Sequence, residues 1–165
     1  VDEIVKASNS SKGSFYFHFG SKHSILMEKF KEIDEYYIEV YKNIPEELPA
    51  PDKLMVFVNK QMGYIENELG LDLMKIIYSN ALKPGQNSYF VDQNRPLVKI
   101  IESIMEEGQQ NNEITRNLPV ERLKFITMQG LMGAIYHWCM NNGAYSLREK
   151  SEAFFQAIVG GIKTS

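Results

Sequence analysis

An all-α fold is what this sequence predicts, and three observations predict it. Apolar residues recur at helical spacing, as in Leu26, Phe30, Ile33, Tyr37 and Val40 or Tyr41. The breaks between such stripes carry residues that start or stop helices, among them Gly20, Pro51, Gly70, Pro119 and Ser146. No segment shows the apolar–polar alternation of a half-buried strand.

The elements follow in order. Residues 1–8 read as a short helix with Ile4 and Val5 apolar, broken by Asn9-Ser10-Ser11. Residues 12–19 form a second short helix, with Phe15 and Phe19 on one face, and Gly20 stops it. Ser21 caps a third helix running to about Lys42. Pro45, Pro49 and Pro51 mark a break, after which Asp52 caps a helix striped by Leu54, Phe57, Val58, Met62, Ile65 and Leu69. Gly70 ends that helix and residues 72–82 form the next. Residues 83–96, "KPGQNSYFVDQNRP", read as a loop, and residues 97–107 as a helix. Pro119 sits in the first turn of a long apolar helix to Met140, and "NNG" ends it. The run Ser146-Leu147-Arg148-Glu149 is a capping box for a final helix reaching Lys163.

Composition bounds the function. The chain has 165 residues, 44% hydrophobic and 24% charged, as in an ordinary globular protein. No apolar run reaches the roughly 18 residues of a membrane span, and no signal peptide is evident, so a cytoplasmic protein is expected. The single cysteine, Cys139, reads as a buried reduced thiol. His18, His23 and His137 are too scattered for a metal site, and no cofactor motif occurs. Net charge is −3, yet residues 4–31 carry five lysines against one glutamate, which leaves the remainder seven units negative. A basic end on an acidic body fits a protein that offers one end to a polyanion.

That basic end is "SKGSFYFHFGSK", Ser11 to Lys22. Two short helices joined by a three-residue break read as a helix-turn-helix, whose second helix enters the major groove. Gly13 and Ser14 allow close approach, and the helix N-terminus offers positive dipole to phosphate. Lys12, Tyr16, His18 and Lys22 can donate to phosphate oxygens, and Phe17 is left to meet a thymine methyl.

The stretch "DEIVKASNSSKGSFYFHFGSKHSIL" resembles the DNA-binding signature of the TetR family of bacterial one-component transcription regulators. The shared elements are Ile4, Val5, Ala7, Ser11-Lys12-Gly13, Tyr16, His18-Phe19, Ser21-Lys22 and Leu26. Asn9, Ser10 and Gly20 depart from the family's usual glycine, apolar and basic residues. The resemblance implies DNA binding through Ser11, Lys12, Gly13, Ser14, Tyr16, Phe17, His18 and Lys22. It also implies one further family helix ahead of Val1, which this sequence does not include. Residues 1–24 are then a truncated DNA-binding part, and residues 25–165 an effector-binding and dimerisation domain.

A regulator of this kind needs a small-molecule site. Candidates are Phe57, Met62, Tyr78, Phe90, Met105, Met128 and Met132, because methionine and aromatic side chains suit a pliable apolar pocket. Each also fits a plain core position. The implied dimer interface is a four-helix packing of the last two helices. Its candidates are Gly130, Gly133, Ala134 and His137 with Phe154, Ala157, Ile158 and Gly161. The function read here is a homodimeric, ligand-responsive regulator, a repressor released from a palindromic double-stranded operator by a small hydrophobic molecule. The alternatives are a ligand-binding or interaction protein of the same fold without DNA binding, and a small helical enzyme. No catalytic constellation is visible for the latter.

Overall fold

The computed structural model describes residues 22–83 and 88–164, with side chains of residues 22–27 and 88 left aside. The two short N-terminal helices, Ser21, and the candidates Ser11, Lys12, Gly13, Ser14, Tyr16, Phe17 and His18 lie outside the described residues. The described residues form helices joined by short connections. Their one β-type contact is an isolated bridge between Ile114 and Lys163. Among them, no helix is long and apolar enough to cross a membrane.

Helix α1 (Lys22–Lys42) buries Phe30, Ile33 and Tyr37, one face of a helical stripe. Helix α2 (Ala50–Tyr64) follows the proline break. Pro49 occupies its N-cap and Pro51 its first turn, so Asp52 lies inside that turn and not at the cap. The free Ala50 N–H is satisfied from far away, donating to the Glu113 carboxylate at 2.7 Å. Leu54, Phe57, Val58 and Met62 are fully buried along α2.

At Ile65–Leu69 the helix widens into a π-helical turn. Gly70, at φ +76°, then starts α3 (Gly70–Ala81) in a conformation a side chain resists. Glu66 in the π turn reaches the start of the last helix. Its carboxylate accepts from the Ser146 hydroxyl and the Arg148 N–H, both at 3.1 Å. It thus meets the positive end of the last helix.

The segment read as a loop at 83–96 contains a single turn, α4 (Ser88–Val91). Tyr89 and Phe90 supply the reason, since both pack on Phe30 of α1. Helix α5 (Pro96–Gln110) runs three residues beyond the expected end. Gly108 stays helical because its missing side chain admits the Ile114 and Ala50 side chains. A Cβ there would lie 2.5 Å from Ile114 Cδ1 and 3.0 Å from Ala50 Cβ. Gly108→Ala should therefore lower stability by about 1–2 kcal/mol. Overpacking of about 1–3 kcal/mol outweighs the roughly 1 kcal/mol gained in helix propensity. Urea unfolding of the two proteins measures it.

Helix α6 (Val120–Met140) starts after Pro119, which stands at the N-cap. Helix α7 (Leu147–Ile162) is capped by Ser146, whose hydroxyl accepts from the Glu149 N–H at 3.3 Å. Helix α7 packs on α2 and α6, and α5 packs on α1, α2 and α6. The chain end closes the bundle, Thr115 N–H donating to the Ile162 carbonyl at 2.8 Å and Thr164 N–H to Glu113 at 3.0 Å.

Buried cations tie α5 to its neighbours. Lys53 of α2 donates to Glu107 at 2.5 Å, and Lys124 of α6 to Glu102 at 2.8 Å. Hydrogen bonds from Lys124 and then Lys99 hold the Glu102 carboxyl down to about 2, below the ordinary 4.5. A carboxyl depressed on folding stabilises above its unfolded value and loses that contribution as pH falls through its folded one. Glu102→Gln should cost about 2 kcal/mol at pH 7. The gap from the parent should close as pH drops from about 4.5 toward 2, measured by denaturant unfolding across that range.

Candidate ligand site and dimer face

A cavity sits behind α1, walled by every helix of the described residues except α7. Phe30, Ile33 and Tyr37 come from α1 and Gln61 from α2. Ile65 and Leu69 come from the π turn, and Met74, Ile77 and Tyr78 from α3. Tyr89, Phe90, Arg95 and Leu97 close one end, and Met128, Leu131, Met132 and Ile135 of α6 form the back. Its free volume is about 50 Å³. That is far below the roughly 300–1,000 Å³ of a typical ligand pocket, so a sizeable ligand must part the walls.

Of the residues expected to form a pocket, Tyr78, Phe90, Met128 and Met132 lie in these walls. Phe57, Met62 and Met105 are fully buried but do not reach the cavity. Phe57 instead packs edge-on against Tyr37, with ring centroids 5.9 Å apart. Helical periodicity identifies Phe57 and Met62 as inward-facing, but it does not separate a residue behind a wall from one at its surface.

The cavity has one polar end, which the sequence reading does not single out. Arg95, preceding Pro96, is nearly fully buried and donates through Nη2 to Asp34 of α1 at 2.9 Å. The same nitrogen donates to the Tyr89 hydroxyl. The guanidinium also lies over the Tyr89 ring, 3.4 Å from its centroid. Tyr89 in turn stacks on Phe30 at 3.6 Å. Its hydroxyl lies 3.3 Å from both the Phe30 carbonyl and Asp34, to either of which it can donate. On the other side, Gln61 donates to the Tyr37 hydroxyl at 3.2 Å. Arg95 Nε and Gln61 Oε1 are buried without a partner. Burial pushes the Tyr37, Tyr78 and Tyr89 hydroxyls far above their ordinary range, so they remain neutral hydrogen-bonding groups. Tyr78 uses its hydroxyl to donate to the Met132 carbonyl at 3.1 Å.

The residues expected at a dimer interface occupy one face of α6 and α7. Gly133, His137, Phe154, Ala157 and Gly161 are exposed, and Ala134 and Ile158 are half-buried. Gly130 differs. It is buried against Phe154, Phe155 and Ile158 of its own chain, which places its role in the α6–α7 crossing. Between the two helices runs a groove of about 380 Å³ lined by Gly133, Ala134, His137 and Phe154, with Ser151 at its side. The Ser151 hydroxyl is buried without a partner. Phe125, Tyr136 and Met140 extend the exposed apolar face along α6. His137 pairs with the Tyr145 hydroxyl at 2.8 Å.

Lys22 is the first residue of α1, so the basic N-terminal stretch feeds directly into the helix that walls the cavity. Among the described residues, no three His, Cys, Asp or Glu side chains gather as a metal site. Cys139 is buried, and burial raises its thiol above the ordinary range.

Comparison with known proteins adds to this geometry. Residues 30–161 match the family described as "YsiA-like protein, C-terminal region". The fatty acid metabolism regulator protein of Bacillus subtilis (strain 168) is 24% identical over 163 residues, covering 98% of this chain and 84% of the relative. The crystal structure of the transcriptional regulator FadR from Bacillus subtilis in complex with stearoyl-CoA superposes with a TM-score of 0.80 at 22% identity, covering 98% of this chain and 87% of that one. The fatty acid degradation regulator FadR from Bacillus halodurans gives 0.77 at 18% identity, covering 97% and 83%. These likenesses in structure establish the fold.

Proposed function

The chain belongs to the TetR family of transcription regulators, and we propose that it is a homodimeric repressor whose effector is a long-chain acyl thioester of coenzyme A. The observation that carries the proposal is the cavity behind α1. It is apolar along its length, polar at one end and walled by the helix that continues from "SKGSFYFHFGSK". The class of ligand is drawn from the relatives, one of which holds stearoyl-CoA.

Residues 1–24 then form the DNA-reading part and residues 25–165 the sensor, acting in the cytoplasm. Ser11, Lys12, Gly13, Ser14 and Phe17 approach bases and backbone, while Tyr16, His18 and Lys22 hold phosphates. Two copies pair through the exposed face of α6 and α7, with Phe154 of each seated against the groove of the other. That two-fold arrangement suits a palindromic operator, with recognition helices about 34 Å apart. An acyl chain forces the closed cavity open and shifts α1. Release follows only because the ligand binds the open conformation more tightly than the DNA-bound one.

The test is binding of the chain to DNA upstream of its own gene, followed by fluorescence anisotropy across a salt series and then with stearoyl-CoA added. Tight binding to one palindrome, falling steeply with salt and lost on addition of stearoyl-CoA, is the expected result. No preference over random DNA, with a folded dimer in hand, defeats the repressor reading.

A further inference from the structure

We propose that Arg95 is the residue through which the effector is felt. Its Nε–H donates to one neutral oxygen of the ligand, the acyl carbonyl, and this contact draws Arg95 away from Asp34 of α1. The proposal rests on the ligand-release function above and adds the recognised atom and the route of coupling.

The geometry is specific. Arg95 lines the cavity and uses Nη2 on Asp34 and Tyr89, while its Nε remains buried and unpartnered. A buried N–H without an acceptor carries a penalty that a ligand oxygen removes. Arg95 is already neutralised by Asp34, so a second anion would face that carboxylate at close range. A carbonyl offers an acceptor without charge. The Arg95–Tyr89 unit also grips α1 within little more than one turn, at Phe30 through stacking and at Asp34 through the ion pair. A guanidinium reoriented toward a ligand therefore loosens the middle of α1, the helix that continues from the basic N-terminal stretch. Gln61, which also lines the cavity, has an unpartnered Oε1. It can take an N–H or O–H donor from the same ligand.

Stearoyl-CoA and S-octadecyl-CoA separate the idea cleanly, because the thioether lacks only the carbonyl oxygen. Binding to the full chain is measured by calorimetry, and DNA release by anisotropy of labelled operator. The thioester should bind, and release DNA, at a concentration at least tenfold lower than the thioether. In the double variant Asp34→Leu/Arg95→Met, the two ligands should bind alike. Equal response of the parent protein to both ligands overturns the proposal, whatever the variant does, as does a variant that keeps the preference for the thioester. Binding of neither ligand to the parent instead defeats the acyl-thioester function on which the proposal rests.

Discussion

Replacing Phe155 by alanine should cost about 3–5 kcal/mol, enough to unfold a large share of the population of a marginally stable domain. Phe155 is fully buried, and α7 rests through it on α6 at Gly130, where its ring comes within 3.2 Å of a Cβ position. Phe154 and Ile158 approach the same glycine, 3.0 and 3.3 Å from that Cβ position, so the lost ring would leave a gap in the α6–α7 crossing. The adjacent residue is the control. Phe154 meets Phe155 edge-on with centroids 5.2 Å apart, yet it is 46% exposed in the isolated chain. Phe154→Asp should leave the fold of one protomer intact and shift the protein from dimer to monomer. Circular dichroism during thermal melting reads the first variant, and sedimentation velocity the second. A stable dimer of Phe154→Asp would remove α7 from the proposed interface.

Asp34→Ala should lower stability by about 3–5 kcal/mol by leaving the buried Arg95 cation without its partner. At about 2–4 °C per kcal/mol for a chain of this size, the melting temperature should fall by roughly 6–20 °C. The double variant Asp34→Leu/Arg95→Met should recover most of that loss, since apolar residues of similar volume remove both the charge and the orphaned donor. Calorimetric melting of the parent, single and double variants gives the comparison. If the single and double variants melt together, the Arg95–Asp34 contact is not what α1 depends on. Tyr89 shares the site, so Tyr89→Phe should be milder, losing a hydrogen bond but keeping the stack on Phe30.

The helices of this fold are legible in the sequence because each carries its own apolar stripe and its own punctuation. The Phe30–Ile33–Tyr37 stripe, the Ser146 cap and the Pro119 start depend on residues within a turn of one another. The parts that the sequence hides are those made by distant partners. Arg95 stands in a polar run and reads as a solvated loop residue, and its burial depends on Asp34, which lies 61 residues away. Glu66 reads as a surface charge and becomes a partner for the start of α7, more than 80 residues on. The helical turn at Ser88–Val91 is short and surrounded by loop formers, and only its packing on α1 explains it. Ile65 and Leu69 look like an ordinary continuation of the α2 stripe. Periodicity does not report that the ladder of hydrogen bonds widens beneath them.

The π turn at Ile65–Leu69 has a consequence for which changes of length this protein can accept. A π turn holds one more residue than the α-helical path would need. Deleting one residue there lets the ladder close to regular α geometry while the residues beyond keep their phase, because the residue removed is the surplus one. Met74, Ile77 and Tyr78 would stay in the cavity wall, and the loss would be local, at the Glu66 carboxylate that the π turn carries to Ser146. A one-residue gap at this place should therefore be milder than the same gap in the middle of α2, where every later side chain would turn by about 100°.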